Sequence, residues 1–149
     1  MGICILLVTL AALINGCSGT KSNKNAVGNE VPEGCSDRPN CVSSQARDES
    51  RAIEPFRFKG DPTTGWNVIT GIIEDLPRTT IVKATDSYLH AECKSRFFGF
   101  IDDLELQLDL VAGIIAIRSA SRTGYYDFGV NRRRVSNLRQ MLKNEGLIH

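Results

Sequence analysis

Five arginines fall within the seventeen residues RSASRTGYYDFGVNRRR, positions 118–134, of a chain of 149 residues whose net charge is only +1. Arginine at this density suits two kinds of chemistry. Its planar fork of N–H donors grips phosphate or carboxylate at two points, and the same fork can neutralise carboxylates of its own chain. Residues 118–143 hold six arginines and Lys143 against Asp127 alone, a local charge of +6 that leaves −5 for the remainder. Such asymmetry calls for internal matching of charge or for an anionic partner. Arg132, Arg133 and Arg134 are expected in the first turn of a helix, where the macrodipole is already positive and each added cation is unfavourable by about 0.3–1 kcal/mol. Asp127 is expected to cap that helix and offset one of them. Asp102, Asp103 and Glu105 are the acids expected to relieve the rest from within. For an anion from outside, the candidate site is Arg118, Arg122, Arg132 and Arg134 with the hydroxyls of Ser119, Ser121 and Tyr126, the backbone at Gly124 and Gly129, and Asp103, Asp127 and Asn131 around them.

Other chemistries find little equipment. The histidines are His90 and His149; a Ser–His–Asp site would have to use His90, and no G-x-S-x-G elbow accompanies it. His90 is otherwise an exposed strand residue opposite Gln107. With no P-loop and no G-x-G-x-x-G after a strand, no nucleotide and no other cofactor is expected. Asp102 and Asp103 are adjacent, so on a strand they point to opposite faces and do not form an acid/base pair. Either could still serve singly as the base of a hydrolase or transferase whose arginines stabilise a developing anion. The modest net charge speaks against nucleic acid as a partner. Cys35 and Cys41 bracket SDRPN and are read as a disulfide, with two free thiols as the alternative. No second Cys or His pair completes a metal site. Cys93 is read as a buried thiol acting as a small hydrophobe, with pairing to Cys35 or Cys41 as the alternative.

The first sixteen residues, MGICILLVTLAALING, have an apolar run from Ile3 to Ile14. That run is short for a bilayer span and fits the apolar region of an export signal. It ends in INGC, which resembles the lipobox of bacterial lipoproteins; the resemblance implies acylation of Cys17 as the mature N-terminus, with an uncleaved anchor as the alternative. Ser18 rather than Asp after that cysteine implies the outer membrane. The expected organisation is a signal peptide over 1–16, a flexible Gly/Ser/Asn-rich tether over 17–34 and one domain over 35–149. The expected location is the bacterial envelope, on the inner leaflet of the outer membrane facing the periplasm.

The domain must place the arginines. EPFRFKG (54–60) reads as a short extended run, and 61–77 as a helix with Asp61 as cap, Pro62 at its first position and Pro77 as its stop. Trp66, Ile69, Ile72, Ile73 and Leu76 form its apolar stripe. Four strands follow, over 78–85, 88–97, 100–110 and 114–122, broken at DS, FG and AG. If each break is a two-residue hairpin loop, Phe97 faces Phe100 in the second hairpin and Val111 faces Ile114 in the third. One face then collects Leu89, Ala91, Cys93, Phe97, Phe100, Leu104, Leu106, Leu108, Leu110, Ile115 and Ile117. The other collects His90, Glu92, Lys94, Arg96, Asp103, Glu105, Gln107, Asp109, Arg118 and Arg122, with Asp103 between Lys94 and Arg122. Asp102 is the exception, a carboxylate on the apolar face. A helix of about 129–144 closes the domain, with Val135, Leu138 and Leu142 inward and Gly146 as its stop. The expected fold is α+β: two layers, a four- to five-stranded antiparallel sheet with two helices on one face, in the order β-α-β4-α of TATA-box-binding-protein-like folds. That likeness is architectural and implies no DNA binding.

Four blocks, CSDRPNCVSSQ (35–45), PRTTIV (77–82), YLHAECKSRFFGFIDDLE (88–105) and RSASRTGYYDFGVNRRRV (118–135), together resemble domain-of-unknown-function family 1499, small proteins of bacteria and plastids that are often exported or lipid-anchored. The resemblance covers about 35–145 and implies no established activity. Its motif positions coincide here with Cys35, Pro39, Asn40, Cys41, Ser43, Ser44, Gln45, Asp102, Asp103, Arg118, Ser119, Ser121, Arg122, Gly124, Asp127, Gly129, Asn131 and Arg134. The expected function is binding of an anionic small molecule, lipid headgroup, glycan or protein. The enzymatic reading and a purely structural envelope role stand as the alternatives.

Overall fold

The computed structural model describes residues 34–149; the segments expected to be a signal peptide (1–16) and, up to residue 33, a tether, with Cys17, lie outside the described residues. The alternating apolar pattern of 88–117 becomes three neighbouring antiparallel strands: β4 (Tyr88–Lys94), β5 (Ile101–Asp109) and β6 (Ile114–Ser121). Before them run β1 (Cys41–Ser43), β2 (Phe56–Arg57), helix α1 (Pro62–Glu74) and β3 (Thr79–Ala84); helix α2 (Val130–Asn144) follows them. The sheet order is β1-β6-β5-β4-β3, and β2 pairs with the other half of the β6 edge. The fold is α+β, as expected. β1 adds a strand that was not expected, so six strands stand where four or five were anticipated and the chain order is β-β-α-β4-α. Three residues are too few to show a period, and β1 exists because the free edge of β6 gives it partners.

The DS break is the expected two-residue loop, with Ala84 paired to Leu89, whereas the registers at FG and AG each differ from two-residue hairpins by two residues. Leu89 pairs with Leu106 and Ala91 with Leu104; Leu106 in turn pairs with Ile117. The connections are therefore wider, residues 95–100 and 110–113. In the first, the Ser95 amide donates to the Phe100 carbonyl at 2.8 Å and the Phe100 amide to the Ser95 hydroxyl at 2.9 Å, which closes a six-residue loop. In the second, the Ala112 amide donates to Asp109 at 2.9 Å. A slip of two leaves each strand residue on its own face, since side chains alternate with period two. What it changes is membership: Phe97, Phe100 and Leu110, expected in the core, sit in the loops and are exposed.

Both helices contribute to one core on the same face of the sheet. Trp66, Ile69 and Ile73 from α1 and Val135, Leu138 and Leu142 from α2 join Leu89, Leu104, Leu106, Ile115 and Ile117. α1 starts as expected: Asp61 accepts the Thr64 amide at 2.8 Å and Pro62 takes the first turn. It ends at Glu74, three residues earlier than expected. Gly65 is required by packing, because a Cβ there would lie 2.4 Å from the Phe58 ring. α2 closes in a Schellman turn, with Gly146 in the left-handed region at φ 71° and the Leu147 amide donating to Leu142 at 3.0 Å. No described helix is long and apolar enough to cross a membrane.

Candidate functional site

The sheet divides the arginine cluster. Arg118 and Arg122 lie on the outer face, away from the helices, and Arg134 lies on the helix face. Adjacent residues of a strand point opposite ways, so Asp103 joins the first group and Asp102 the second.

On the outer face Glu105 stands between His90 and Arg118, and Asp103 between Glu92 and Ala120. The two-residue slip thus replaces the expected neighbours: Gln107 lies between Tyr88 and Ala116 rather than between His90 and Arg118. Arg118 pairs with Glu105, whose other oxygen accepts the Tyr88 hydroxyl at 3.0 Å. Arg122 reaches back from just beyond β6. Its Nε lies 3.1 Å from each Asp103 oxygen, and its Nη2 lies 2.7 Å from Asp103 and 2.6 Å from Glu92. His90 Nε2 stands 2.7 Å from the same Asp103. Burial by itself raises the Asp103 carboxyl, but the hydrogen bonds from Arg122 and His90 outweigh it and hold the group below its ordinary value. Arg122, facing two carboxylates, is held more basic still. The ladder is not complete: Gln107 Oε1 and Arg118 Nε are buried without a partner among the described residues.

On the helix face the polar groups close on themselves. Arg134 Nη2 donates to Asp102 at 2.6 Å, and its Nη1 donates to the Ser119 hydroxyl at 2.9 Å and to Asn131. Ser119 donates in turn to Asn131 Oδ1 at 2.7 Å. The Asn131 amide nitrogen is directed at the Asn40 carbonyl at 2.9 Å, Asp127 at 3.0 Å and the Ser121 hydroxyl at 3.1 Å. Asp127 also accepts the Gly129 and Asn131 backbone amides, each at 2.9 Å, which is the expected cap on the start of α2. Asn40 donates to the Gly124 carbonyl at 2.8 Å, and the Cys35–Cys41 disulfide fixes the loop that carries it. Asn131, Ser119, Asp102 and Asn40 are all buried. This lock joins the N-terminal loop, β5, β6 and α2, and it gathers the motif residues Asn40, Cys41, Asp102, Ser119, Ser121, Gly124, Asp127, Asn131 and Arg134.

The other two arginines of the helix start use carbonyls instead of acids. Arg132 donates to Ser50 at 2.6 Å and Ala52 at 3.2 Å, and Arg133 to Phe128 at 2.8 Å. The unfavourable cations at a positive helix terminus are thus offset by Asp127, Asp102 and three backbone dipoles.

A pocket that the sequence did not reveal opens beside this lock. Its cavity of about 340 Å³ lies between α2, β3 and β4 and is bordered by Arg78, Lys94, Arg133 and Arg134, with Cys93, Thr79 and Asn137 and no acidic residue. Arg134 is matched by Asp102. The cations Arg78, Lys94 and Arg133 come from three separate stretches, and only the β3–β4 pairing and the lie of α2 bring them together. Arg78 holds a left-handed φ of 59°. Cys93 is a free, buried thiol; burial pushes it up from its ordinary value and Thr79 lies 3.8 Å from its sulfur. No three His, Cys, Asp or Glu side chains among the described residues gather as metal ligands.

Comparison with curated proteins and with solved structures gave no match. Residues 33–142, which span the sheet, both polar networks and nearly all of α2, match the model of a family described as protein of unknown function (DUF1499), and the chain belongs to that family.

Proposed function

We propose that the domain is a binding module rather than an enzyme, held at a bacterial envelope membrane through lipid on Cys17 and taking a small anion in the pocket of Arg78, Lys94 and Arg133. The observation that carries this reading is the pocket itself: three cations without an acidic neighbour among its lining residues, around a cavity large enough for a compact ligand. Arginine forks and a lysine point charge suit phosphate or carboxylate. Arg118 and Arg122 are matched by carboxylates and Arg132 by two carbonyls outside the cavity, so the proposed site shifts to this neighbouring cavity, where Arg133 gives one N–H to the Phe128 carbonyl and Arg134 stands in the wall. The Cys35–Cys41 disulfide supports an oxidising compartment, and the INGC stretch supports the lipid anchor.

The hydrolase or transferase reading has less support. Asp102 is tied to Arg134, and Asp103, with its carboxyl held low, is a weak base. A purely structural envelope role draws support from the helix-face lock, which uses the family's motif residues to join four parts of the chain.

Thermal unfolding at low ionic strength, with inorganic phosphate and with a tricarboxylate, tests the proposal. The parent protein is expected to gain melting temperature with at least one of them, Arg78→Ala to lose the gain and Arg118→Ala to keep it. No shift with either anion, or a loss common to both variants, defeats it.

A further inference from the structure

The chain has ten aromatic residues. Phe56, Phe58, Trp66 and Tyr88 are buried, whereas Phe97, Phe98, Phe100, Tyr125, Tyr126 and Phe128 are between 55 and 85% exposed. All six exposed rings lie at one end of the sheet, on the β4–β5 loop and the β6–α2 loop. Exposed apolar surface gathered in this way marks an interaction site. The rings are ordered against each other: Phe98 stacks on Phe100 at 5.5 Å and Tyr126 meets Phe128 edge-on at 5.3 Å. Between the two loops lies an apolar cavity of about 430 Å³. Phe128 holds φ 52°, a left-handed conformation that is unfavourable for a bulky residue, and its ring contributes nothing to the core.

The surroundings of the rings are basic. Residues 94–100 hold Lys94 and Arg96 and no acid, and the Arg96 guanidinium sits 5.6 Å above the Phe97 ring. In the second loop the one acid, Asp127, is taken up by the amides at the start of α2, and Arg133 holds the Phe128 carbonyl. The described chain starts along the β1 edge of the sheet, where Gly34 lies beside the Gln45 carbonyl and Arg51 holds the Ser36 carbonyl. Cys35 is bonded to Cys41, which pairs with Ala120 near the end of β6, and Asn40 holds the Gly124 carbonyl. The opposite end of the sheet presents Leu110 and Val111, with Asp86 and Asp109 nearby and no exposed ring.

We infer that the aromatic end docks on an anionic lipid bilayer, with the six rings entering the headgroup region and Lys94, Arg96 and Arg133 lying against acidic headgroups. Phenylalanine and tyrosine on loop tips gain from leaving water at this depth, and basic neighbours add attraction to acidic lipid. Two separate tips with a basic surround suit a soft, negatively charged surface. Lys94 and Arg133 also line the anion pocket, but the docking requires neither a ligand in that pocket nor the acylation of Cys17.

Tryptophan quenching in the full chain tests it. Phe98→Trp, Phe128→Trp and, at the opposite end, Val111→Trp are compared on vesicles of phosphatidylglycerol and of phosphatidylcholine carrying brominated acyl chains; buried Trp66 is a background common to all three. The expected result is a blue shift and loss of emission for Phe98→Trp and Phe128→Trp on phosphatidylglycerol, weakened on phosphatidylcholine, and no change for Val111→Trp. Quenching that is equal at all three positions, or equal on both lipids, overturns the inference. So does its absence at 98 and 128 while the protein still sediments with vesicles, the result expected if only the N-terminal segment binds. A soluble partner protein as the true occupant would leave both loop tryptophans unquenched.

Discussion

Asp102 and Asp103 are neighbours on β5 and live in opposite circumstances. Asp102 faces the helices and closes a buried network with Arg134, Ser119 and Asn131. Asp103 faces outward and shares a partly hydrated ladder with Arg122, His90 and Glu92. The ion chemistry is the same, a carboxylate against a guanidinium. The surroundings differ, and they set what removing a partner does. In the lock every buried side-chain polar atom has a partner, and a deleted group leaves its neighbour stranded out of water. In the ladder the charged side chains are 18 to 39% exposed and water can replace a lost partner, although Gln107 Oε1 and Arg118 Nε are buried without one among the described residues.

The largest expected effect is therefore in the lock. Asp102→Ala leaves the Arg134 charge without a counter-ion and should cost about 3–5 kcal/mol, read by urea denaturation. A loss below about 1 kcal/mol would place this network in effective contact with water and erase the contrast. Next is the loop that carries Asn40. Replacing Cys35 and Cys41 together by serine should cost about 2 kcal/mol, from the closure entropy of a short loop. If stability is instead unchanged by reductant and by the double substitution, Asn40 needs no covalent support.

The ladder should respond less. Arg118→Ala is expected to cost about 1 kcal/mol or less, and to cost less still in about 1 M salt, where exposed charges are screened. The Asp102→Ala deficit should keep its size in the same salt, and a parallel decline of both would show that the two faces are equally wet. The smallest signal is in acid. Asp103 gives up its proton more readily in the folded chain than in the unfolded one, so its contribution is complete above about pH 4 and fades as pH falls through the lower folded value. Arg122→Ala should flatten the loss of melting temperature below about pH 4 and leave it unaltered near neutrality apart from a constant offset. A steeper acid decline in the variant would mean that Arg122 does not favour the ionised form of Asp103.

Much of this was written along the chain. The inward sets Leu89–Ala91–Cys93, Leu104–Leu106–Leu108 and Ile115–Ile117 follow from alternation. Asp61, Pro62, Asp127 and Gly146 announce the helix ends through local backbone chemistry. The placing of Arg118 and Arg122 on one face with Asp103 also follows from parity, which survives a slip of two. Loop width does not, because FG and AG look like tight turns until Ser95 and Asp109 supply hydrogen bonds that close wider ones. Hence alternation alone puts Phe97, Phe100 and Leu110 in a core they do not enter, and it hides the surface formed by the rings of 97–100. β1 is invisible for want of length. The grouping of Arg78, Lys94 and Arg133 is invisible because no spacing in sequence encodes proximity across β3, β4 and α2.

From its residues alone this chain declared an apolar face for each element, the ends of both helices and a surplus of positive charge that had to be answered. These are local properties, fixed by side-chain period and by hydrogen bonds a few residues long. Only the folded arrangement decided how the charge was answered, because the sheet is a partition: it sent Arg134 to a closed buried network and Arg118 and Arg122 to a wetter one. It left Arg78, Lys94 and Arg133 around an open cavity. Which acid reaches which arginine depends on register and on helix docking, both set by contacts between residues far apart in the chain.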